Sequence, residues 1–150
     1  MGHLNLQLEP DGTGSGELFA RFESQGFAGH GSAWFDLATL TETAKQFAQY
    51  PLPSDKPVCI AGGFLTVAIP PALDEEMLHV SAHPVNGRGG IALRVQLACE
   101  VSAFDRGGVA KHCVSGEIQV GYEQLRQFSK ALVSLIRGEL DEVVLDDRNL

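Results

Sequence analysis

The side chains able to do chemistry are five histidines, three cysteines and a scatter of carboxylates and serines, so spacing decides what they amount to. His79 and His83 stand in an alternating stretch that reads as a strand, with Leu78, Val80 and Ala82 inward and His79, Ser81 and His83 outward. Four residues apart on a strand, the two imidazoles leave the chain about 13 Å from each other, too far to share one zinc ion. A helix would bring them closer, but Pro70-Pro71 and Pro84 bracket the segment, and no glutamate occupies the metalloprotease position between them. No metal ligand set is expected.

His112 and Cys113 are adjacent, and neighbours on a strand point to opposite faces, so they cannot act on each other as a thiolate-imidazole pair. By parity His112 shares a face with Val114, Ile118 and Val120 and reads as a half-buried histidine bonded to backbone. Cys59, Cys99 and Cys113 form an odd set without CxxC spacing and read as reduced thiols, Cys99 as a small core residue beside Leu97 and Val101. The runs Gly12-Thr13-Gly14-Ser15-Gly16 and Gly87-Arg88-Gly89-Gly90 lack the lysine and following helix of a phosphate cradle, and read as hairpin turns. Ser115-Gly116 and Gly31-Ser32 sit in no nucleophile elbow, and Asp74-Glu75-Glu76 reads as a solvated turn. These residues predict no catalytic group and no cofactor. The alternative is a small-molecule or enzymatic cleft near His112, with Cys113 or His79 as its second group.

Trp34 is the only tryptophan, at the end of a strand with Phe35 beside it on the opposite face, so one of the two must look away from the core. An outward aromatic is a binding anchor unless the segment 56–71 covers it. The candidate binding residues are therefore Trp34 and the acidic residues Asp141, Glu142 and Asp146 of the C-terminal tail, which begins at about residue 139.

The elements that must position these groups follow from periodicity. Leu4, Leu6 and Leu8 alternate as a first strand, and a second runs from Glu17 to Glu23. The chain then turns at Gln25-Gly26 or Ala28-Gly29 into a third strand ending at Trp34-Phe35. Leu40, Ala44, Phe47 and Ala48 mark an amphipathic helix from Leu37, started by Asp36 or by a Thr39-to-Glu42 capping box and stopped by Pro51 and Pro53. Residues 56–70 read as a strand pair or one bent strand. Strands follow over 76–83, 91–101 and 109–120, then a helix from about Tyr122 to Arg137 with Gly138 as its stop. Val143-Val144-Leu145 reads as an edge strand or a loosely packed cluster. Laying residues 31–47 on 116–132 sets Gly31 on Gly116, Phe35 on Val120, Leu40 on Leu125 and Phe47 on Leu132, two loosely similar strand-to-helix halves sharing one sheet.

The whole is a single α+β domain over residues 1–150, an antiparallel sheet with two amphipathic helices. Its formal charge of −8 disfavours nucleic acid and anionic membranes as partners. The N-terminus lacks the basic start and apolar run of a signal peptide, and no segment approaches the ~18 apolar residues of a membrane span. A cytoplasmic protein is expected, and an exposed edge strand would allow a homo-oligomer.

The order of these features resembles the WapI-type immunity proteins and related uncharacterised bacterial domains. It comprises a hairpin, a strand with Trp34, a helix from Leu37-x-x-Leu40 to Phe47, a strand with Leu78-x-Val80, the long strand Ile91 to Val101, a strand ending Ile118-Gln119-Val120 and the helix Tyr122-x-x-Leu125-x-x-Phe128-x-x-x-Leu132. The resemblance covers roughly residues 4–138. Pro71-Ala72-Leu73-Asp74 stands where such proteins often carry a glutamate-proline pair. The resemblance implies a non-enzymatic cytoplasmic protein that neutralises a toxin by direct binding, with a basic toxin domain as partner, and transfers no individual binding residue.

Overall fold

The computed structural model describes residues 2–53, 55–65, 73–85, 88–103 and 108–147, with the backbone alone at 64–65, 73–75, 100–103 and 108–111. Three strands open the chain: β1 His3–Pro10, β2 Ser15–Ser24 and β3 Phe27–Asp36. At the first turn the Asp11 carboxylate accepts from the Thr13 amide and hydroxyl at 2.8 and 2.7 Å, closing the loop on Gly12 and Gly14. The second turn is Gln25-Gly26, both at positive φ (54° and 85°), the two-residue hairpin geometry whose twist matches the strands.

Helix α1, Leu37–Gln46, starts on Asp36, whose Oδ2 accepts from the Thr39 amide and hydroxyl, each at 2.9 Å. The Thr39-to-Glu42 box is therefore not used, because the Thr39 hydroxyl is already committed to the aspartate ahead of it. Strands β4 Val58–Leu65, β5 Leu73–Pro84, β6 Ile91–Ala103 and β7 Gly108–Val120 follow, then α2 Tyr122–Ile136 and β8 Val143–Asp146. Gln124 Oε1 accepts from the Gly121 amide at 3.0 Å at the start of α2. Gly138 ends it at φ 79°, with its amide on Leu135 O and that of Glu139 on Ser134 O, the paired bonds of a Schellman stop. Asp74, Glu75 and Glu76 lie in β5 and not in a solvated turn. Among the described residues no helix is long and apolar enough to cross a membrane.

The α+β class stands, with all strand pairings antiparallel, but the strands form two sheets where one shared sheet is expected. The first has the order β3-β2-β1-β8 and the second β4-β5-β6-β7. The reason is packing. Each sheet has one apolar face, Leu4, Leu6, Leu18 and Phe22 in the first and Ile60, Leu78, Val80, Leu93, Val95 and Ile118 in the second, and both faces close on one core. Strand β3 lies across the second sheet. Ala33 and Phe35 sit over Gly62 of β4, Gly31 over Met77 of β5 and Ala98 of β6, and Gly29 over Val114 of β7. A Cβ on Gly31 would come within 2.7 Å of the Met77 carbonyl, and one on Gly116 within 2.7 Å of the Phe22 ring. The two glycines matched between the halves are thus both points of sheet-to-sheet contact.

The helices complete the same core. Phe47 and Phe128 meet edge to face at 5.6 Å, an arrangement worth about 1 kcal/mol beyond the area they bury. Ser129 Oγ, buried, donates to Ala44 O at 2.7 Å and ties α2 to α1. Of the two readings of Val143-Val144-Leu145 the edge strand holds: β8 pairs with β1 and places Val143 and Leu145 in the core and Val144 and Asp146 outside.

Candidate functional site

Between the outer face of the first sheet and the part of the second sheet just past the β3 crossing lies a cleft of about 1190 Å³. Period-two alternation builds its floor. With Leu18 and Ala20 turned inward, Glu17, Phe19 and Arg21 face out, and pairing sets Trp34 beside Glu17, Ser32 beside Phe19 and His30 beside Arg21. On the other side Asn5 pairs with Val144 and His3 with Asp146. Gly63, Met77, Ala98 and Cys99 form the wall from the second sheet.

Trp34 is the outward member of its pair, 59% exposed, while Phe35 packs on Gly62. Phe19 and Val144 are also exposed, at 37% and 50%, so the floor carries three apolar side chains among polar ones. Two of its carboxylates are held in place: Glu17 accepts from Ser32 Oγ at 2.7 Å and Glu142 from Asn5 Nδ2 at 2.8 Å. Of the four residues singled out in the sequence, Trp34, Glu142 and Asp146 line this cleft, and Asp141 is exposed outside it. Phe19, Arg21, His30 and His3 were missed. Their signal was the alternation of β2 and β3, which names the outward residues once the inward set is known.

A second cluster lies on the outer face of the second sheet. His79 and His83 do leave the same face, but their rings lean together: His79 Nε2 lies 3.0 Å and His83 Nε2 2.8 Å from Ser81 Oγ. The expectation of well-separated imidazoles neglected the reach of a histidine side chain along its own strand. Ser81, though outward by parity, is 0% exposed, with Cys59 and Arg94 as its cross-strand neighbours. Glu76 joins the cluster through an irregularity. The β4 partner of Leu78 is Gly62 and that of Glu76 is Gly63, so Met77 is a bulge residue, and the extra residue turns Glu76 onto the face of His79. Its Oε2 lies 3.2 Å from His79 Nδ1.

The hydrogens follow from the chemistry. An ionised carboxylate only accepts, so His79 Nδ1 carries the proton. Neutral His79 Nε2 then accepts from the Ser81 hydroxyl, and Ser81 Oγ accepts from His83 Nε2. Cys59 Sγ sits 3.6 Å from His79 Nδ1, and burial followed by the Glu76 charge pushes its thiol pKa up. Burial and then the Arg94 charge hold His83 below the usual imidazole range. Glu76, His79 and Ser81 have the polarity of a hydrolase triad, but the hydroxyl is sealed and no carbonyl can reach it. Among the described residues no three of His, Cys, Asp and Glu are placed to hold a metal ion.

His112 and Cys113 are both exposed, on the edge strand β7. The half-buried reading of His112 fails because, among the described residues, β7 is the last strand of its sheet and leaves His112 exposed, and neither residue lines the cleft. Cys99 is partly buried and lines the cleft instead of the core. Compared with known proteins, the chain matches no family model, no curated protein and no solved structure.

Proposed function

We propose that this chain is a non-enzymatic binding module that seats a protein partner in the cleft on the first sheet. The observation that carries this is Trp34, a large aromatic held open to solvent on a rigid sheet, beside the fixed carboxylates of Glu17 and Glu142 and close to Phe19. Interfaces draw most of their energy from such aromatic anchors, with surrounding polar groups setting orientation. The partner that fits is a basic protein surface, because the net charge of −8 speeds encounter with positive partners and repels nucleic acid. Neutralisation of a basic toxin domain in the cytoplasm, the role implied by the resemblance to WapI-type immunity proteins, is the specific form of this reading. The sealed Ser81 supports a role without catalysis.

The test is to read the gene's neighbourhood, where a toxin-sized reading frame is expected and an isolated gene counts against the toxin form of the reading, and to co-express the chain with that neighbour's product. Suppressed toxicity and a co-purifying complex are expected. Trp34→Ala should weaken the complex by about 30-fold, the ~2 kcal/mol of an aromatic hot spot. Unchanged toxicity, or a complex indifferent to Trp34→Ala and Glu142→Lys together, would overturn the reading.

A further inference from the structure

The bulge in β5 belongs to two places at once. Glu76, on one side of it, closes the array that runs through His79 and Ser81 to His83 on the outer face of the second sheet. Met77, the bulged residue, lines the cleft on the opposite side, and its carbonyl is the surface against which Gly31 of β3 is pressed. A change in the array therefore has a short covalent route to the cleft.

We propose that the Glu76-His79-Ser81-His83 array is a proton-operated latch on the cleft, set while both rings are neutral and released when they take up protons. With both rings neutral, every hydrogen in the chain has an acceptor. Protonated His79 donates from both nitrogens, so Ser81 Oγ faces two N–H donors and its own hydrogen loses its acceptor at a position closed to water. The hydroxyl must turn away, the chain parts at Ser81, and charged His79 draws Glu76 against the bulge. Other groups facing the array modulate this. Arg94 of β6 and the second imidazole oppose protonation of His83, and Glu117 of β7, 3.4 Å from Arg94, favours it. Cys59 of β4 stays a neutral thiol.

The conformational step stands without a partner, whereas its effect on affinity rests on the cleft being the binding site. Trp34 reports directly on the cleft, and far-UV circular dichroism reports on the fold. His3 and His30 also line the cleft, so both are first changed to glutamine. In that background Trp34 emission should still titrate between pH 7.5 and 5.5, in step with the His79 and His83 ring resonances and with the amide shifts of Gly31 and Gly63. Circular dichroism should stay constant. Ser81→Ala, or His79→Gln with His83→Gln, should abolish the transition, and affinity for the co-purified partner should fall about tenfold over the same range. Flat emission in the His3/His30 background overturns the latch. So does a transition that survives loss of both β5 histidines, or one that coincides with loss of the circular dichroism signal. A working latch with pH-independent affinity overturns the placement of the partner in the cleft and leaves the latch standing.

Discussion

At the scale of single residues, the pair Trp34 and Phe35 shows how far a pattern reaches. Alternation requires that one face outward, and contact with Gly62 decides that it is Trp34. Because Trp34 is so exposed, Trp34→Ala should move the urea-unfolding free energy by no more than about 0.5 kcal/mol while it weakens binding. Ser81 is the opposite case. Ser81→Ala strands His79 Nε2 and His83 Nε2 together, and should cost about 1–2 kcal/mol at pH 7.5 by urea titration, less at pH 5.5 where the chain is already parted. The linkage has the same direction. His83 in the folded chain holds its proton less readily than in the unfolded chain, so its contribution is complete above about pH 6.5 and is lost as pH falls from there through the lower folded value. His83→Gln should flatten that part of the stability profile. The shared outward face of His79, Ser81 and His83 is legible in the alternation; the place of Glu76 among them is not, since strand parity assigns it to the wrong face unless the bulge at Met77 is known. A bulge leaves little mark in one sequence.

At the scale of elements, the sequence was more forthcoming. The alternating runs are strands β1, β2, β5, β6 and β7, the 3.6-residue stripes are α1 and α2, and Asp36 and Gly138 mark boundaries by chemistry that only a few residue types supply. Gly138→Ala forces a side chain into the left-handed region and should cost about 1 kcal/mol, seen as a lower thermal midpoint with an unchanged folded spectrum. The uncertain stretch 56–70 contains one strand, β4, over Val58–Leu65, whose register shifts at Gly62/Gly63 and again at Phe64/Leu65; residues 66–70 lie outside those described. Two glycines and two irregular pairings account for the ambiguity, because each breaks the alternation by which strands are read.

At the scale of the molecule, two sheets replace one because the decisive contacts are remote in sequence. The partner of β1 on its second edge is β8, the crossing of β3 over four strands depends on side chains that are missing at Gly29, Gly31 and Gly62, and Gly116 makes the same kind of room for Phe22 of β2. Repetition of glycine between the halves was visible; its use as a slot for another backbone was not. Gly31→Ala should cost about 1–3 kcal/mol in urea, since its Cβ meets the carbonyls of Met77 and Ala98 and neither can step aside without moving a strand. The β1–β8 pairing also clasps the two ends of the fold. The Gly2 amide donates to Asp147 Oδ1 and the Asp147 amide to Gly2 O, each at 2.9 Å, beside His3 and Asp146 at the rim of the cleft. If the proposed partner seats in this cleft, an affinity handle attached at Gly2 or Asp147 should obstruct its approach and lower the amount captured. A circular permutant that joins these ends through a short linker and reopens the chain at Gln25-Gly26 carries the handle to the far end of the β2–β3 hairpin and leaves that approach clear.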